Sequence, residues 1–239
     1  MRRRFALLPL SVVCLLFAGC TNLPGKPGFR PETLRPDQTM GFAILYKNNC
    51  SACHGDHGQG GAAIPLNNPV YLDWAGKQHI LTVVENGVAG YQMPGFAAGS
   101  GGLLTGAQVE AIVNGMQSHW AKPGSSAGAP AYPQPNSGNV AHGQAVFTQY
   151  CARCHGAQGE GNPAAGVTGS ILNPTYLSLI SKQGLRSIIV AGMPGEGMPD
   201  WKDDVAGKPM TDADVTDVVA WLASHRVANP GQPFSPAHP

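Results

Sequence analysis

Two short clusters of sulfur and imidazole carry the chemistry of this chain. They are Cys50-Ser51-Ala52-Cys53-His54 and Cys151-Ala152-Arg153-Cys154-His155, displaced by 101 residues. Residues three apart on a helical turn share a face, so each pair of thiols can reach the two vinyl groups along one porphyrin edge. The adjacent His then lies beneath the ring, where its imidazole can bind iron. Cys-x-x-Cys-His is the attachment signature of c-type haem. Zinc also takes Cys and His ligands, but neither repeat contains a second Cys pair, and the pattern ends in an adjacent His twice. A thioredoxin-like redox pair requires a βαβ setting that the surrounding sequence lacks. A disulfide between cysteines so close leaves the adjacent His without a role.

Iron held this way has a second axial position. Met93 and Met198 are the repeated candidates, each followed by Pro and, two residues further, by an aromatic, Phe96 or Trp201. Proline restricts the backbone beside the ligand, and a neutral, soft thioether favours ferrous iron and raises the reduction potential. Met193 also precedes a Pro and competes with Met198. Its counterpart in the first cluster's sequence is Val88, so repeat symmetry favours Met198. Met116 aligns with Leu222 and Met210 with Leu104, which is the pattern of core filling. His57, His79, His119 and His225 read as surface or capping residues.

The elements that position these groups also come twice. Leu45-Tyr46 and Val146-Phe147 stand at equal distances before their first cysteines. Asn68-Pro69-Val70-Tyr71-Leu72 matches Asn173-Pro174-Thr175-Tyr176-Leu177, and Thr105 to Val113 matches Thr211 to Val219. A unit of about 85 residues has been duplicated. Thr105 and Thr211 occupy N-cap positions, with Gln108 completing a capping box in the first copy and Asp214 favouring the helix dipole in the second. Helical periodicity follows at Val109, Ile112, Val113 and Met116, and at Val215, Val218, Val219 and Leu222. A middle helix repeats as Ile80, Val83, Val84 and as Leu185, Ile188, Ile189, ending at Gly87 and Gly192. No alternating strand pattern of useful length occurs.

The remaining segments connect. Residues 1–19 read as an export signal, with Arg2, Arg3 and Arg4 ahead of an apolar stretch too short for a spanning helix, which needs ~20 residues. Phe17-Ala18-Gly19-Cys20 resembles a bacterial lipobox, making Cys20 a candidate for lipidation and the mature N-terminus; the alternative is an ordinary signal peptide with a coincidental Cys. Residues 20–36 form a Pro-rich flexible tether, 37–122 the first domain, 123–138 a Pro/Gly/Ser linker, 139–229 the second domain and 230–239 a Pro-rich tail. Only 12% of the 239 residues are charged, and the formal net charge is +1. That balance, with no long charge run, argues against nucleic acid as a partner. Cores of this size rarely supply more than ~3–5 kcal/mol, so a large apolar cofactor bonded into each domain solves an energetic problem as well as a chemical one.

Through Cys50, Cys53, His54 and Met93, and again through Cys151, Cys154, His155 and Met198, the sequence resembles tandem class I cytochrome c domains of the bacterial diheme kind. The resemblance implies an all-α fold, two small helical bundles each built around a covalent haem, with first and last helices crossing beside it. Leu45-Tyr46 and Val146-Phe147 would be first-helix contacts. Trp221 suits the aromatic position of the last helix, whereas its counterpart is Gly115, so the first domain must pack differently, with Trp120 compensating in part. The implied function is single-electron transfer between membrane-associated redox partners in a respiratory or photosynthetic chain, as a carrier or as a subunit of a larger complex. The implied setting is the periplasm or the outer face of the cell membrane, with a lipid anchor holding the protein to the membrane surface. The competing reading is a diheme enzyme such as a peroxidase or a thiosulfate dehydrogenase.

Overall fold

The computed structural model describes residues 33–230 except Thr168, Asp204 and Asn229. The export signal, Cys14, Cys20, nearly all of the tether and nearly all of the Pro-rich tail therefore lie outside the described residues.

Ten α-helices are present among the described residues, five from each repeat in the same order, with short 3-10 turns before and between them and no strand. The first repeat contains α1 (Phe42–Asn49), α2 (Ser51–His54), α3 (Pro69–Ala75), α4 (Lys77–Asn86) and α5 (Gly106–Trp120). The second contains α6 (Val140–Tyr150), α7 (Ala152–His155), α8 (Pro174–Leu179), α9 (Lys182–Ala191) and α10 (Asp212–Ser224). The fold is all-α, as the periodicity requires. Both final helices open on a full capping box. Thr105 and Gln108 form one, and Thr211 with Asp214 forms the other, so Asp214 accepts from the Thr211 amide in addition to complementing the dipole.

Each repeat closes where its first helix crosses its last. In the second repeat, Trp221 of α10 packs its ring 4.4 Å from that of Phe147 on α6, and its backbone comes close because Gly143 has no side chain. A Cβ on Gly143 would overlap the carbonyl oxygen of Asp217 and lie 2.8 Å from the Trp221 Cβ. In the first repeat the sizes are exchanged. Position 143 aligns with Phe42 and position 221 with Gly115, and the Phe42 ring lies directly over Gly115. Phe42 then gathers Tyr46, His119 and Trp120 around it at 5.7, 5.2 and 5.4 Å between ring centroids. The compensation for Gly115 thus comes mainly from the opposite helix, with Trp120 as a neighbour.

The repeats are not independent bodies, and both fall within one compact unit. Helix α9 packs on α10 of its own repeat and on α3 of the other. It consequently buries Leu185, Arg186, Ser187, Ile189, Val190 and Ala191, whereas its counterpart α4 buries only Ile80 and Val84. Residues 124–134 hold the pair together as a strap. Asp73 accepts from the Gly124 and Ser126 amides, Trp74 Nε1 donates to Pro130 O at 2.6 Å, and Tyr132 packs on Trp74 and His79. On the other side the fully buried Arg186 donates to Ala131 O, Gln134 Oε1 and Thr216 Oγ1 and pairs with Asp212.

The exchanged sizes at the helix crossings have different consequences for substitution. Gly143→Ala and Gly115→Ala should each lower stability by about 1–3 kcal/mol in denaturant unfolding, as overpacked sites do. Adding Phe42→Ala should recover much of the Gly115→Ala loss, because that obstacle is a side chain. No side-chain change at Asp217 should recover Gly143→Ala, because that obstacle is a backbone oxygen.

Candidate haem-binding sites

Each Cys-x-x-Cys-His cluster hangs directly from the first helix of its repeat. Cys50 ends α1, with its amide donating to Tyr46 O at 2.8 Å, and its own carbonyl accepts from the His54 amide at 3.0 Å. Cys151 does the same between Phe147 O and the His155 amide at 2.8 and 2.9 Å. One turn of helix, α2 or α7, therefore carries both thiols and the imidazole in a fixed relation to the α1–α5 or α6–α10 crossing. Cys50 is buried, Cys53 exposed, and Cys151 and Cys154 half-buried. Burial, reinforced by the neighbouring Cys53, pushes the Cys50 thiol up to about 12.

The two histidines are held differently. His54 is buried, and its Nδ1–H donates to Ile64 O at 2.8 Å. That bond fixes the tautomer and leaves Nε2 with its lone pair, the arrangement that orients and strengthens a metal-ligating imidazole. Desolvation holds the ring below its ordinary pKa and so neutral. Tyr46 adds a second anchor by donating its hydroxyl to Gly55 O at 3.0 Å. In the second repeat Phe147 replaces Tyr46 and has no hydroxyl. His155 is also kept neutral by burial, but its Nδ1 is buried without a hydrogen-bonding partner in the protein. Both clusters fit a covalent haem: thiols on one edge of a turn, beside a neutral imidazole.

The methionine loops start from the glycines that end α4 and α9. Gly87 and Gly192 have φ of 73° and 69°, the left-handed region open to glycine. The returning loop also passes over both, so a Cβ on Gly87 would lie 2.5 Å from Met93 O and one on Gly192 2.6 Å from Pro199 O. Within the loops the backbone register repeats. Val88 N donates to Met93 O at 2.9 Å, and Met193 N donates to Met198 O at the same distance. Further on, Leu104 N donates to Phe96 O and Met210 N to Trp201 O. Met93 and Met198 thus occupy equivalent places, as do Val88 and Met193. Met93, Met193 and Met198 are all half-buried, whereas Met116 and Met210 are fully enclosed in the two cores.

Sequence reasoning missed several groups that shape these sites. Asn68 does more than cap α3: its side chain crosses to the second repeat. Ile64 supplies a backbone carbonyl, which no side-chain pattern reveals. Gln108, beyond its capping role, donates to Pro36 O and Thr39 O and so ties the segment before α1 to α5. Arg186 replaces Leu81 of the first repeat, and that change of type within the alignment was the available signal.

With the geometry in view, the comparisons with known proteins converge. The family described as cytochrome c oxidase, cbb3-type, subunit III matches residues 37–114 and again residues 138–222. A cbb3-type cytochrome c oxidase subunit CcoP from Azospirillum sp. (strain B510) is 29% identical over 80% of this chain and 65% of its own length. A cbb3-type cytochrome c oxidase subunit FixP from Sinorhizobium medicae (strain WSM419) is 36% identical over 56% of this chain and 46% of its own. A thiosulfate dehydrogenase from Stutzerimonas stutzeri (strain A1501) is 28% identical over 78% of this chain and 63% of its own. The chain therefore spans between about half and two thirds of the length of these relatives. Two matches in tandem, each enclosing one Cys-x-x-Cys-His cluster, establish that the chain belongs to the cbb3-type subunit III cytochrome family, with one covalent haem c in each of its two c-type domains.

Proposed function

We propose that this protein transfers single electrons between redox partners at a membrane, as a diheme carrier or as the electron-transfer subunit of a larger oxidoreductase complex, and that it is not itself an enzyme. The observation that carries this reading is the repetition of a complete ligand set: a Cys-x-x-Cys-His turn and a Met-Pro loop in the same backbone register in both repeats. When bound, haem c supplies a one-electron ferric–ferrous couple. Everything else is done by the chain. Cys50, Cys53, Cys151 and Cys154 would hold the porphyrins through thioethers, and His54 with Met93 and His155 with Met198 would ligate the two irons, which would leave no open site for a small substrate.

Met198 is favoured over Met193 because it stands in the register of Met93. Met193 instead lines a crevice with Gln59, Gly61 and Pro65 of the first repeat. Among the described residues no helix is long and apolar enough to cross a membrane. The proposed attachment is a lipid on Cys20 at the end of the tether, outside the described residues, which places the protein on the outer, periplasmic face of the cell membrane. Membrane-bound or periplasmic redox proteins are then the partners.

The similarity to a thiosulfate dehydrogenase supports a second reading, in which one haem lacks its methionine and does chemistry. Two measurements separate the readings. The ferric protein should show Met–iron charge-transfer absorption from both haems, and it should oxidise no thiosulfate with an electron acceptor present; a band from one haem only, with turnover, favours the enzyme. Met198→Ala should give a second haem of lower potential that binds added ligands, while the first is unchanged. An unchanged spectrum moves the ligand to Met193. Met93→Ala should have the mirror-image effect on the first haem.

A further inference from the structure

We propose that Asn68 is a positioning residue through which the first repeat sets the loop carrying the second repeat's methionine. The side chain is buried and its amide is used at both ends. Its Oδ1 accepts from Val70 N and Tyr71 N at 2.9 and 3.1 Å, capping α3. Its Nδ2 donates across the repeat boundary to Ala191 O at 2.8 Å and Gly192 O at 3.1 Å. Ala191 is the last residue of α9, and Gly192 is the residue that the Met-Pro loop folds over. Carbonyls at the end of a helix have no partner within it, and here one side chain from the other repeat supplies it. The same amide joins the N-terminus of α3 to the C-terminus of α9, so the two helix dipoles meet with opposite sign.

The first repeat's loop is built without such help. There the end of α4 is closed by the loop's own amides, Phe96 N to Val84 O and Ala97 N to Glu85 O. In the second repeat Trp201 N, the counterpart of Phe96 N, reaches one residue further to Val190 O, the counterpart of Glu85 O, and Lys202, which aligns with Ala97, turns its amide to Asp200 Oδ1. The second loop thus returns one amide to its helix instead of two, and Asn68 adds its own bonds at the carbonyls that follow, Ala191 O and Gly192 O. The opposite arrangement does not occur among the described residues. Asn173, the counterpart of Asn68, caps α8 through Thr175 N and Tyr176 N and lies exposed. Dependence runs one way, from the first repeat to the second repeat's Met193–Met198 loop.

The proposal rests on Met198 as the second iron's ligand, and its test keeps the two apart. Asn68→Ser in the full-length holoprotein retains an N-cap oxygen but is too short to reach Ala191 O. Asn173→Ser is the matched control, and Asn68→Asp, which keeps shape and cap while losing the donor, serves if the serine variant does not fold. Amide hydrogen exchange over residues 192–200 should accelerate about tenfold or more in Asn68→Ser, as expected for loss of buried hydrogen bonds. The second haem's Met–iron band should weaken and its potential fall, with the first haem unchanged and Asn173→Ser silent in both readouts. Unaltered exchange in Asn68→Ser, or equal effects from Asn173→Ser, overturns the proposal. So does accelerated exchange with an unaltered second haem, provided Met198→Ala does alter that haem. If Met198→Ala leaves the spectrum untouched, the ligand assignment fails instead, and exchange alone decides whether Asn68 positions the loop.

Discussion

The crossing of first and last helices is the contact on which both haem sites depend. The Cys-x-x-Cys-His turn continues without a break from the first helix, because Cys50 and Cys151 each end one helix and begin the next. Wherever α5 holds α1, it also places two thiols and an imidazole. An isolated helix as short as α1, of 8 residues, is unstable in water, so its direction is set by packing rather than propensity. The crossing accordingly tolerates only complementary sizes. Phe42 over Gly115 and Trp221 over Gly143 are two solutions to one steric problem, with the bulky ring moved from the first helix to the last.

A duplicated domain exposes the same surfaces twice, but two copies packed together cannot use them equally. Helix α9 shows the result. Its homologue α4 has one buried stripe, while α9 is covered from both sides and adds Arg186, Ser187, Val190 and Ala191 to its buried set. A fully buried guanidinium is tolerable only when its donors are met, and the strap meets them through Ala131 O and Gln134 Oε1 with Thr216 Oγ1 and Asp212 completing the set. The Pro- and Gly-rich composition of this strap prevents it from forming a core of its own, yet it exposes the carbonyls that Arg186 and Trp74 require.

What could be read in the sequence was what local chemistry dictates. The haem turns, the capping Thr residues, the glycines ending α4 and α9, and the core roles of Met116 and Met210 each follow from a residue type at a fixed spacing. What could not be read depends on residues far apart in the chain. Asn68 and Asn173 look identical as caps, and only the packing of α3 against α9 gives one of them a second task. The compensation for Gly115 was sought on its own helix, whereas it comes from Phe42, because a sequence pattern does not say which helix supplies the bulk at a crossing. Ile64 contributes only a carbonyl, which every residue has.

The two Cys-x-x-Cys-His turns therefore differ in their protein surroundings even though their residue types match. Around the first, His54 donates to a backbone carbonyl and Tyr46 fastens the turn that follows, both within one repeat. Around the second, the imidazole's Nδ1 finds no protein acceptor, and the methionine loop is braced from the neighbouring repeat. Hydrogen bonding to an imidazole fixes its tautomer and orientation, and only the first repeat supplies that bond from its own backbone. The asymmetry that packing imposed on the copies thus reaches the sites themselves: the first is held within its own repeat, and the second draws part of its support from its neighbour.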